Sequence, residues 1–340
     1  MAGDEFVSRP QVTLMFKNSI HNRPAVGLLY NPATPDLVAL APDLVEYIAA
    51  MPDRLWFDFG ARAAGRRFHR TLEAMQEVRR HADGRLLSGH GIGLSLPSAI
   101  PLDEDFVQAV ATMSADLGGF QWYSEHLSVF IAPRGSVPNA QAGLGLPVVY
   151  DEETFEIVRG KLIRLKEALG CPILLENGSF FTPVPDIDVS ETAFLNRLHS
   201  ERLCDTLLDI HNLYVGWRNG GVSPSDYMDE LDSDAVVEIH LAGGDDFAGF
   251  YMDSHSGLTP PEVWRWAFDY APRFKRLRAI TFEFQETYYE RIGPEALVDE
   301  LKRMHELAAS CTVRQDSGPE SPLEAAETGP RDGREVCHAI

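Results

Sequence analysis

Short apolar runs alternate with amphipathic stretches along the middle of this chain of 340 residues. Eight of the runs are typical of β-strands. Most of them lack a strict alternation of apolar and polar residues, as expected for strands that are buried on both faces of a parallel sheet. The predicted strands are 25–31, 54–60, 85–95, 120–127, 172–178, 205–215, 236–243 and 277–284. The predicted helices are 36–50, 66–81, 103–117, 152–169, 191–202, 225–231, 261–271 and 294–309.

The helix assignments rest on spacing and on end signals. In the segment 66–81, an apolar residue recurs every three or four positions, which makes one apolar stripe on a helix. Thr259, followed by two prolines and Glu262, has the features of a helix start. Eight strand-helix units predict an α/β fold of the (β/α)8 barrel type. A doubly wound open sheet is the rival, but the first strand is not followed by the glycine-rich phosphate loop that such a sheet often carries.

The pattern also divides the chain. Residues 1–24 form a short polar lead-in, residues 25–311 the barrel, and residues 312–340 an acidic tail rich in Ser, Pro, Gly and Glu. Because the tail has few large apolar residues, we expect it to be disordered.

Composition narrows the classes of partner. The chain has 51 acidic and 30 Lys and Arg residues, a formal net charge of -21. This charge repels phosphate backbones and anionic lipid, which argues against nucleic acid and membrane surfaces as partners. The four cysteines lie far apart, so the sequence indicates neither a cysteine zinc cluster nor a disulfide framework, and the cytoplasm is the expected location. We find no export signal and no apolar run of about 18 residues.

Imidazole and carboxylate side chains recur where the predicted strands end, and in a parallel barrel these ends converge on one mouth. The candidates are Asp58, His90, Glu125, His126, Glu176, Asp209, Asn212, His240 and Glu283, with Asp253 and His255 in the loop after strand seven. Imidazole mixed with carboxylate, without thiolate, is the ligand chemistry of divalent iron, manganese or zinc. The pattern therefore predicts a multinuclear metal centre.

Three positions stay open on the residues alone. Glu125 and His126 are adjacent, so they point to opposite faces of a strand unless the strand ends there. His211 competes with Asn212 for the site. Glu286 competes with Glu283, although the position at the strand end favours Glu283. By contrast, we interpret the histidines in predicted helices as surface residues; these are His69, His81, His199 and His305. We interpret the tryptophans as packing residues.

The motifs closely resemble, in order, those of the multinuclear non-haem iron-dependent oxidative enzymes, which are related to the methanobactin-biosynthesis iron enzyme. They are HGIGLS, SEHLS, ILLENGS, LLDIHNLYV, EIHLAGG, DSHSG and the strand-end Glu283, within residues 85–284. The resemblance implies a xylose-isomerase-like TIM barrel with two or three iron ions that uses dioxygen to modify residues, most often cysteine, in ribosomally made precursor peptides. It also implies, for many members, a small partner protein that binds the leader of the precursor.

When its motifs are matched to this chain, the resemblance implies that the candidate residues from His90 to Glu283 named above bind the metals. The chain departs from the family in its first two strands, where members have a histidine and further carboxylates. Here Asn31 and Asp58 are the only polar residues at those strand ends. Glu283 is followed by Phe284 and Gln285, where the family has Arg-Asp. We therefore expect two firmly held metals and a weak or absent third.

The function that the resemblance implies is oxygen activation at a ferrous ion beside a ferric ion, on a peptide cysteine. One alternative is a metal-dependent hydrolase or isomerase on the same barrel. An endonuclease of this kind would need Lys and Arg around the mouth, and the loops 178–191 and 243–257 contain none. The other alternative is a non-catalytic scaffold that has lost its first-strand ligands.

Overall fold

The structure, a computed structural model, describes residues 22–60, 63, 65–132, 140–179 and 189–312. The predicted lead-in, apart from residues 22–24, and the predicted tail, apart from Thr312, lie outside the described residues.

The secondary structure follows the chain in order. The strands are β1 (Ala25–Leu29), β2 (Tyr47–Ala50), β3 (Trp56–Asp58), β4 (Phe68–Arg70), β5 (Leu86–Gly91), β6 (Tyr123–His126), β7 (Val129–Ala132), β8 (Ala140–Leu146), β9 (Ile173–Glu176), β10 (Asp205–Asp209), β11 (Val236–Ala242), β12 (Asp245–Phe247), β13 (Phe250–Met252) and β14 (Ala279–Glu283). The α-helices are α1 (Thr34–Leu40), α2 (Leu72–Ala82), α3 (Glu104–Asp116), α4 (Glu152–Leu169), α5 (Glu191–Ser200), α6 (Ile210–Arg218), α7 (Pro224–Glu230), α8 (Pro261–Tyr270), α9 (Tyr289–Ile292) and α10 (Pro294–Ser310). Short 3₁₀ turns cover Pro42–Leu44, Pro52–Arg54, Ala271–Arg273 and Glu286–Tyr288.

Eight parallel strands close into a barrel in the order β1, β2, β5, β6, β9, β10, β11, β14, and β14 pairs with β1. At least one helix follows each barrel strand, which confirms the predicted (β/α)8 barrel. Gly27 permits the close approach of β1 and β2, because a Cβ there would lie 2.1 Å from the carbonyl oxygen of Tyr47.

Two layers of side chains hold the barrel together. An inner cluster fills its lumen, and an outer core packs the strands against the helices. The inner cluster consists of Ala25, Tyr47, Ala49, Trp122, Leu174, Leu207, Val237 and Ala279. Because the lumen is filled with side chains, the space for chemistry lies above this layer, at the carboxyl ends of the strands.

Three antiparallel hairpins interrupt the connections between strand and helix. They are β3–β4 after β2, β7–β8 after β6, and β12–β13 after β11. Each follows the carboxyl end of a barrel strand, so all three lie on the side of the mouth. Among the described helices, none combines the length and apolar character needed to cross a lipid bilayer.

The predicted second strand is wrong. The barrel strand is Tyr47–Ala50, inside the predicted helix 36–50, and the segment predicted as strand 54–60 forms the first half of a surface hairpin. Pro42 ends the helical spacing early, and α1 stops at Leu40. Phe57 is 68% exposed, so its aromatic character reflects the hairpin and not a barrel strand.

Two other boundaries differ from the prediction. The segment 66–81 begins as strand β4, and α2 starts only at Leu72, which is 72% exposed and therefore not part of an apolar stripe. The predicted strand 205–215 ends at Asp209, where the chain turns directly into α6. The side chain of Asp209 accepts from the backbone N–H of Asn212 and caps that helix.

Candidate metal centre at the carboxyl ends of the strands

Ten predicted ligand side chains come together at the mouth of the barrel. They are His90, His126, Glu176, Asp209, His211, Asn212, His240, Asp253, His255 and Glu283. Their His, Asp and Glu members form four groups in which the potential ligand atoms lie within 4.8 Å of one another. The groups are His90–His240–Glu283, His90–His126–Glu176, Glu176–Asp209–His240 and His211–Asp253–His255. Because the first three share residues, the arrangement suits several ions that lie side by side.

Glu176 lies between two imidazoles and an amide. Its Oε2 is 3.5 Å from Nε2 of His90 and 3.3 Å from Nε2 of His126, and its Oε1 accepts from Nδ2 of Asn212 at 3.1 Å. His90 and Glu176 are almost completely buried. This carboxylate is a member of two groups, so it is placed to bridge two ions.

His240 lies on the opposite side of this cluster, against Glu283. Nδ1 of His240 is 2.7 Å from Oε1 of Glu283, yet neither atom has a hydrogen-bond partner of acceptable geometry. Two atoms that face one another closely without a hydrogen bond are what a shared cation would join.

The fourth group is built around Asp253. Its Oδ1 lies 3.1 Å from Nδ1 of His211 and 2.9 Å from Nε2 of His255, and His255 also lies 3.3 Å from Oε2 of Glu283. His255 has a φ of 49°, in the left-handed region that a residue with a side chain rarely adopts. Such strain persists where the surroundings hold the residue in place, and it is common at functional sites.

Unpartnered polar atoms test whether the residues fit a metal. Within the described part of the chain, nine buried side-chain N or O atoms lack a hydrogen-bond partner, and five of these belong to the mouth cluster. These five are Glu176 Oε2, Asp209 Oδ2, Asn212 Oδ1, His240 Nδ1 and Glu283 Oε1. An unsatisfied buried polar atom costs about 1–3 kcal/mol, so the concentration of these five atoms at one place suits the binding of a cation. The donor set therefore fits a metal centre.

Burial and mutual repulsion act on the carboxylates. Burial raises the pKa of Glu176 well above its usual 4.5, and the charges of Asp209, Glu283 and Asp253 raise it further, against the opposing effect of His240. Burial also raises the pKa of Asp209 to about 6, again with a contribution from Glu283 and Asp253. In the described chain, Lys and Arg form no ion pair with these four carboxylates, and the ion pairs of Glu176, Asp253 and Glu283 are with imidazoles.

The imidazoles respond in two ways. Burial tends to lower the pKa of His255, but the charges of Asp253 and Glu283 dominate and raise it to about 10. Burial lowers the pKa of His126 to about 4, and burial together with the neighbouring His126 lowers that of His90 well below 6.5. His90 and His126 thus remain neutral and able to coordinate at neutral pH, while the field around His255 favours a positive charge.

Local sequence explains how the strand ends are fixed to one another. Asn177 follows β9 and donates to the backbone oxygen of Asp209, and its own side-chain oxygen accepts from the N–H of Asp209. Gly243 follows β11 and packs against the segment after the β12–β13 hairpin, since a Cβ there would lie 2.1 Å from the oxygen of Leu258. The same segment is held by a hydrogen bond from the N–H of Ser256 to the oxygen of Gly243. Asp253 and His255 therefore sit on a loop that is fixed to the end of a barrel strand.

Alternation resolves the pair on β6. His126 faces Glu176, whereas Glu125 points away from the cluster and accepts hydrogen bonds from the N–H of Leu94 and the hydroxyl of Tyr123. Burial raises the pKa of Glu125 to about 8. Glu125 therefore lies outside the four groups, and its role as a ligand stays a prediction.

Asn31 and Asp58 also lie outside the site. Asn31 donates to the oxygen of Phe284 and accepts from the N–H of Ala33, which joins β1 to β14. Asp58 lies on the β3–β4 hairpin, which is not part of the barrel, and accepts hydrogen bonds from Nε and Nη2 of Arg67.

The remaining open positions are resolved by position in the fold. His211 and Asn212 both reach the cluster, because they lie in the first turn of α6 and not on a strand. Glu286 pairs with Arg54 at the surface, whereas Glu283 belongs to one of the four groups. The histidines predicted to lie in helices are absent from all four groups.

Two buried residues beside the ligands were missed. Ser124 lies 2.8 Å from Nδ1 of His90, and Glu238 lies 3.2 Å from Nε2 of His240. The signal for Glu238 was present in the sequence, because Glu238 and His240 are two apart on a strand and therefore share a face.

Comparison with solved structures supports the fold. A 3-keto-D-glucoside 4-epimerase from E. coli aligns over 84% of this chain and its own entire length with a TM-score of 0.50 and 11% identity. A D-psicose 3-epimerase from Clostridium cellulolyticum H10 aligns over 85% of this chain and its own entire length with a TM-score of 0.50 and 10% identity. At this identity the likeness establishes only the fold, a closed (β/α)8 barrel.

Similar sequences extend over most of the chain. A UPF0276 protein of Anaeromyxobacter sp. is 28% identical over 279 residues, which cover 82% of this chain and 94% of that protein. A UPF0276 protein of Chromobacterium violaceum is 33% identical over 225 residues, which cover 66% of this chain and 78% of that protein. The model of the family described as RiPP precursor modification enzyme MbnB/TglH/ChrH matches residues 38–309. With its barrel and its cluster of imidazoles and carboxylates, this chain belongs to the MbnB/TglH/ChrH family of RiPP precursor modification enzymes.

Proposed function

We propose that this chain is a multinuclear non-haem iron oxidoreductase that uses dioxygen to modify a residue, cysteine in the first instance, of a ribosomally synthesised precursor peptide. Membership of the family supports the precursor peptide as the class of substrate. Iron, dioxygen and cysteine are the parts of the proposal that go beyond family membership.

The observation that carries the proposal is the set of five unpartnered ligand atoms within one buried cluster. Nitrogen and carboxylate oxygen, without thiolate, favour iron over the metals that thiolates select. Carboxylates shared between groups suit neighbouring ions, since they bridge metals and help to neutralise them. In the proposed site, ions would be held by two overlapping sets around Glu176 and by a further set of His211, Asp253 and His255.

The group of His211, Asp253 and His255 changes the expected number of metal ions per chain. The sequence favoured two firm sites because the first-strand histidine is missing. His211 stands within reach of Asp253 and His255 and gives this set a second imidazole. We therefore favour three ions over two, with His211 as a ligand that the first strand does not supply.

Bound iron would supply the affinity for dioxygen and the capacity to take up electrons from a substrate. The protein residues prepare the site for this chemistry. Ser124 donates to the backbone oxygen of Gly89 and so accepts from Nδ1 of His90, which keeps the proton on Nδ1 and leaves Nε2 free toward Glu176. Burial of these residues excludes water from the inner part of the site.

Exposure indicates the direction from which a substrate would arrive. The side chains of His126, Asp253 and His255 are 17–19% exposed, whereas His90 and Glu176 are at most 2% exposed. A peptide side chain would therefore approach over the first three residues, while the inner ligands stay covered. A cysteine thiol that bound a metal there would lose its proton readily, because a metal ion stabilises the thiolate.

The partners follow from the same reasoning. The proposed substrate is a precursor peptide, with a small leader-binding protein as a proposed partner and no role for nucleic acid or membrane. The cytoplasm is the proposed location, in keeping with the free buried thiols of Cys171, Cys204 and Cys311.

The experiment is a turnover assay with short cysteine-containing peptides, to be sought among the products of the neighbouring genes. The enzyme is loaded anaerobically with Fe(II), mixed with the peptide, and exposed to dioxygen or kept anaerobic, and the peptide mass is followed by mass spectrometry. We expect a mass change that requires both iron and dioxygen, and that is lost in Glu176→Gln. Turnover with zinc, magnesium or manganese in the absence of dioxygen would instead favour a hydrolase or isomerase, and tight iron binding without any turnover would favour a scaffold.

A further inference from the structure

Glu238 lies in the lumen of the barrel, directly beneath the metal cluster, and is completely buried. Its Oε1 accepts hydrogen bonds from the hydroxyls of Tyr47 at 3.0 Å and Thr281 at 2.6 Å, and its Oε2 accepts from Nε1 of Trp122 at 2.7 Å. Nε2 of His240 lies 3.2 Å from Oε1. Burial of a carboxylate is costly unless donors surround it, and four donors surround Glu238. Such a group requires an explanation.

The state of its oxygens separates Glu238 from the ligands. A carboxylate offers about four acceptor positions, and both oxygens of Glu238 accept from the protein, Oε1 from three donors and Oε2 from one. In contrast, Glu176, Asp209 and Glu283 each keep one buried oxygen without a partner. Glu238 is also absent from the four groups of potential ligands. It is therefore placed to support the centre and not to coordinate an ion.

The contact with His240 has a chemical consequence. An ionised carboxylate can only accept, so Nε2 of His240 must carry the proton that is shared with Glu238. When the ring is neutral, its other nitrogen, Nδ1, has a free lone pair, and this atom lies 2.7 Å from Oε1 of Glu283. A carboxylate that accepts from one nitrogen of an imidazole fixes its tautomer and orientation for metal binding through the other.

We propose that Glu238 is a positioning residue that holds His240 with its proton on Nε2 and directs Nδ1 at the metal centre. The hydroxyls of Tyr47 and Thr281 hold Oε1, the oxygen that contacts His240, whereas the indole of Trp122 bonds only Oε2. This inference rests on the proposed metal centre, but not on the identity of the metal or on the use of dioxygen.

The test compares Glu238→Gln with Trp122→Phe as a matched control. The control removes the hydrogen bond to Oε2 and leaves the contact between Oε1 and His240 in place. Full-length metal-free proteins are titrated with Co(II), which reports binding through its visible spectrum, and the unfolding of each metal-free protein is measured by chemical denaturation. Both variants are expected to be less stable than the wild type, because each disturbs the same buried hydrogen-bond network.

The two variants are expected to differ in metal binding. In Glu238→Gln, the affinity for Co(II) at the His240 site should fall about 10- to 100-fold, with a changed spectrum, whereas Trp122→Phe should stay within about threefold of the wild type. Equal affinities and spectra in the two variants, with similar losses of stability, would overturn the proposal. A wild-type protein that binds no Co(II) would overturn it together with the metal centre. Failure of turnover with iron and dioxygen, by contrast, would contradict the proposed function and leave this result unaffected.

A second measurement does not depend on the folding of a variant. Histidine nitrogen-15 spectra of the wild-type protein loaded with diamagnetic Zn(II) report which ring nitrogen carries a proton. His240 is expected to have its proton on Nε2 and none on Nδ1. A proton on Nδ1 would contradict the proposal.

Discussion

Replacing Glu176 by Gln should stabilise the metal-free protein and weaken its response to metal. Glu176 is buried, and its pKa is raised well above the usual 4.5 by burial and by the neighbouring carboxylates. Above pH 4.5 the unfolded chain releases this proton while the fold retains it, so the fold loses about 1.4 kcal/mol per pH unit until the folded pKa is reached. Gln carries no titratable proton, and its side-chain NH₂ can donate to the free nitrogens of His90 and His126.

The magnitude follows from the pH interval. Between the usual 4.5 and pH 7, the variant gains at most about 3 kcal/mol over the wild type, which corresponds to a Tm increase of about 5–10 °C. The gain should disappear below pH 4.5, where Glu is protonated in both states. Addition of metal should reverse the order, because an ion present at 1,000 times its Kd stabilises the wild type by about 4.1 kcal/mol and Glu176 belongs to two of the four groups.

Thermal unfolding of chelator-treated protein between pH 4 and 8, with and without anaerobic Fe(II), measures both effects. Glu300→Gln is the control, since Glu300 is also a buried carboxylate with a raised pKa but accepts from Thr259, away from the cluster. The control should share part of the pH-dependent gain and keep the full response to metal. A Glu176→Gln protein with an unchanged metal response, or a metal-free variant less stable than the wild type at pH 7, would refute the reasoning.

Three further predictions concern the field of the site, its boundary and the closure of the barrel. Because the pKa of His255 is raised to about 10, a proton must leave this residue when metal binds at pH 7. Metal affinity should therefore rise with pH, and calorimetry in buffers of different ionisation enthalpy should detect the released proton. An affinity that does not change between pH 6 and 8 would contradict this prediction. Asp58→Asn should leave the bound metal unchanged by elemental analysis and cost less than about 1 kcal/mol in denaturation, because it breaks only a partly exposed pair with Arg67; loss of metal would restore Asp58 as a ligand. Gly27→Ala should destabilise the fold by about 3 kcal/mol or more, since its Cβ would lie 2.1 Å from the backbone oxygen of Tyr47, and soluble protein with wild-type Tm would contradict the register of β1 and β2.

The sequence predicts the fold well where apolar runs are long and bounded. The barrel strands β5, β6, β9, β11 and β14 fall inside predicted strands, because each lies in a short segment with several large apolar residues. The second strand was missed because its four residues, YIAA, are too short to show a period, while the aromatic run after it suited a strand equally well. Contacts with the rest of the fold decide which of the two segments becomes the barrel strand.

The site was predicted where a single strand end determined the direction of a side chain. His90, Glu176, His240 and Glu283 needed no more than a strand that ends at the mouth. Glu125 required the correct face of β6, which two adjacent polar residues cannot indicate.

His211 and Asn212 required the turn from β10 into α6. The spacing of apolar residues does not indicate this turn, because they continue on both sides of it without a break. The capping position of Asp209 was the available signal, since a helix often begins at an Asp whose side chain accepts from the N–H three residues on.

Iron stoichiometry tests the central claim most directly. Metal-free protein is titrated anaerobically with ⁵⁷Fe(II), freed of excess iron, and analysed by elemental analysis and Mössbauer spectroscopy, before and after brief exposure to dioxygen. The account predicts at least two and favours three tightly held ions per chain, of which only part becomes ferric in oxygen. One ion or none per chain, or displacement of the iron by equimolar zinc without change in the remaining spectrum, would contradict a multinuclear iron centre.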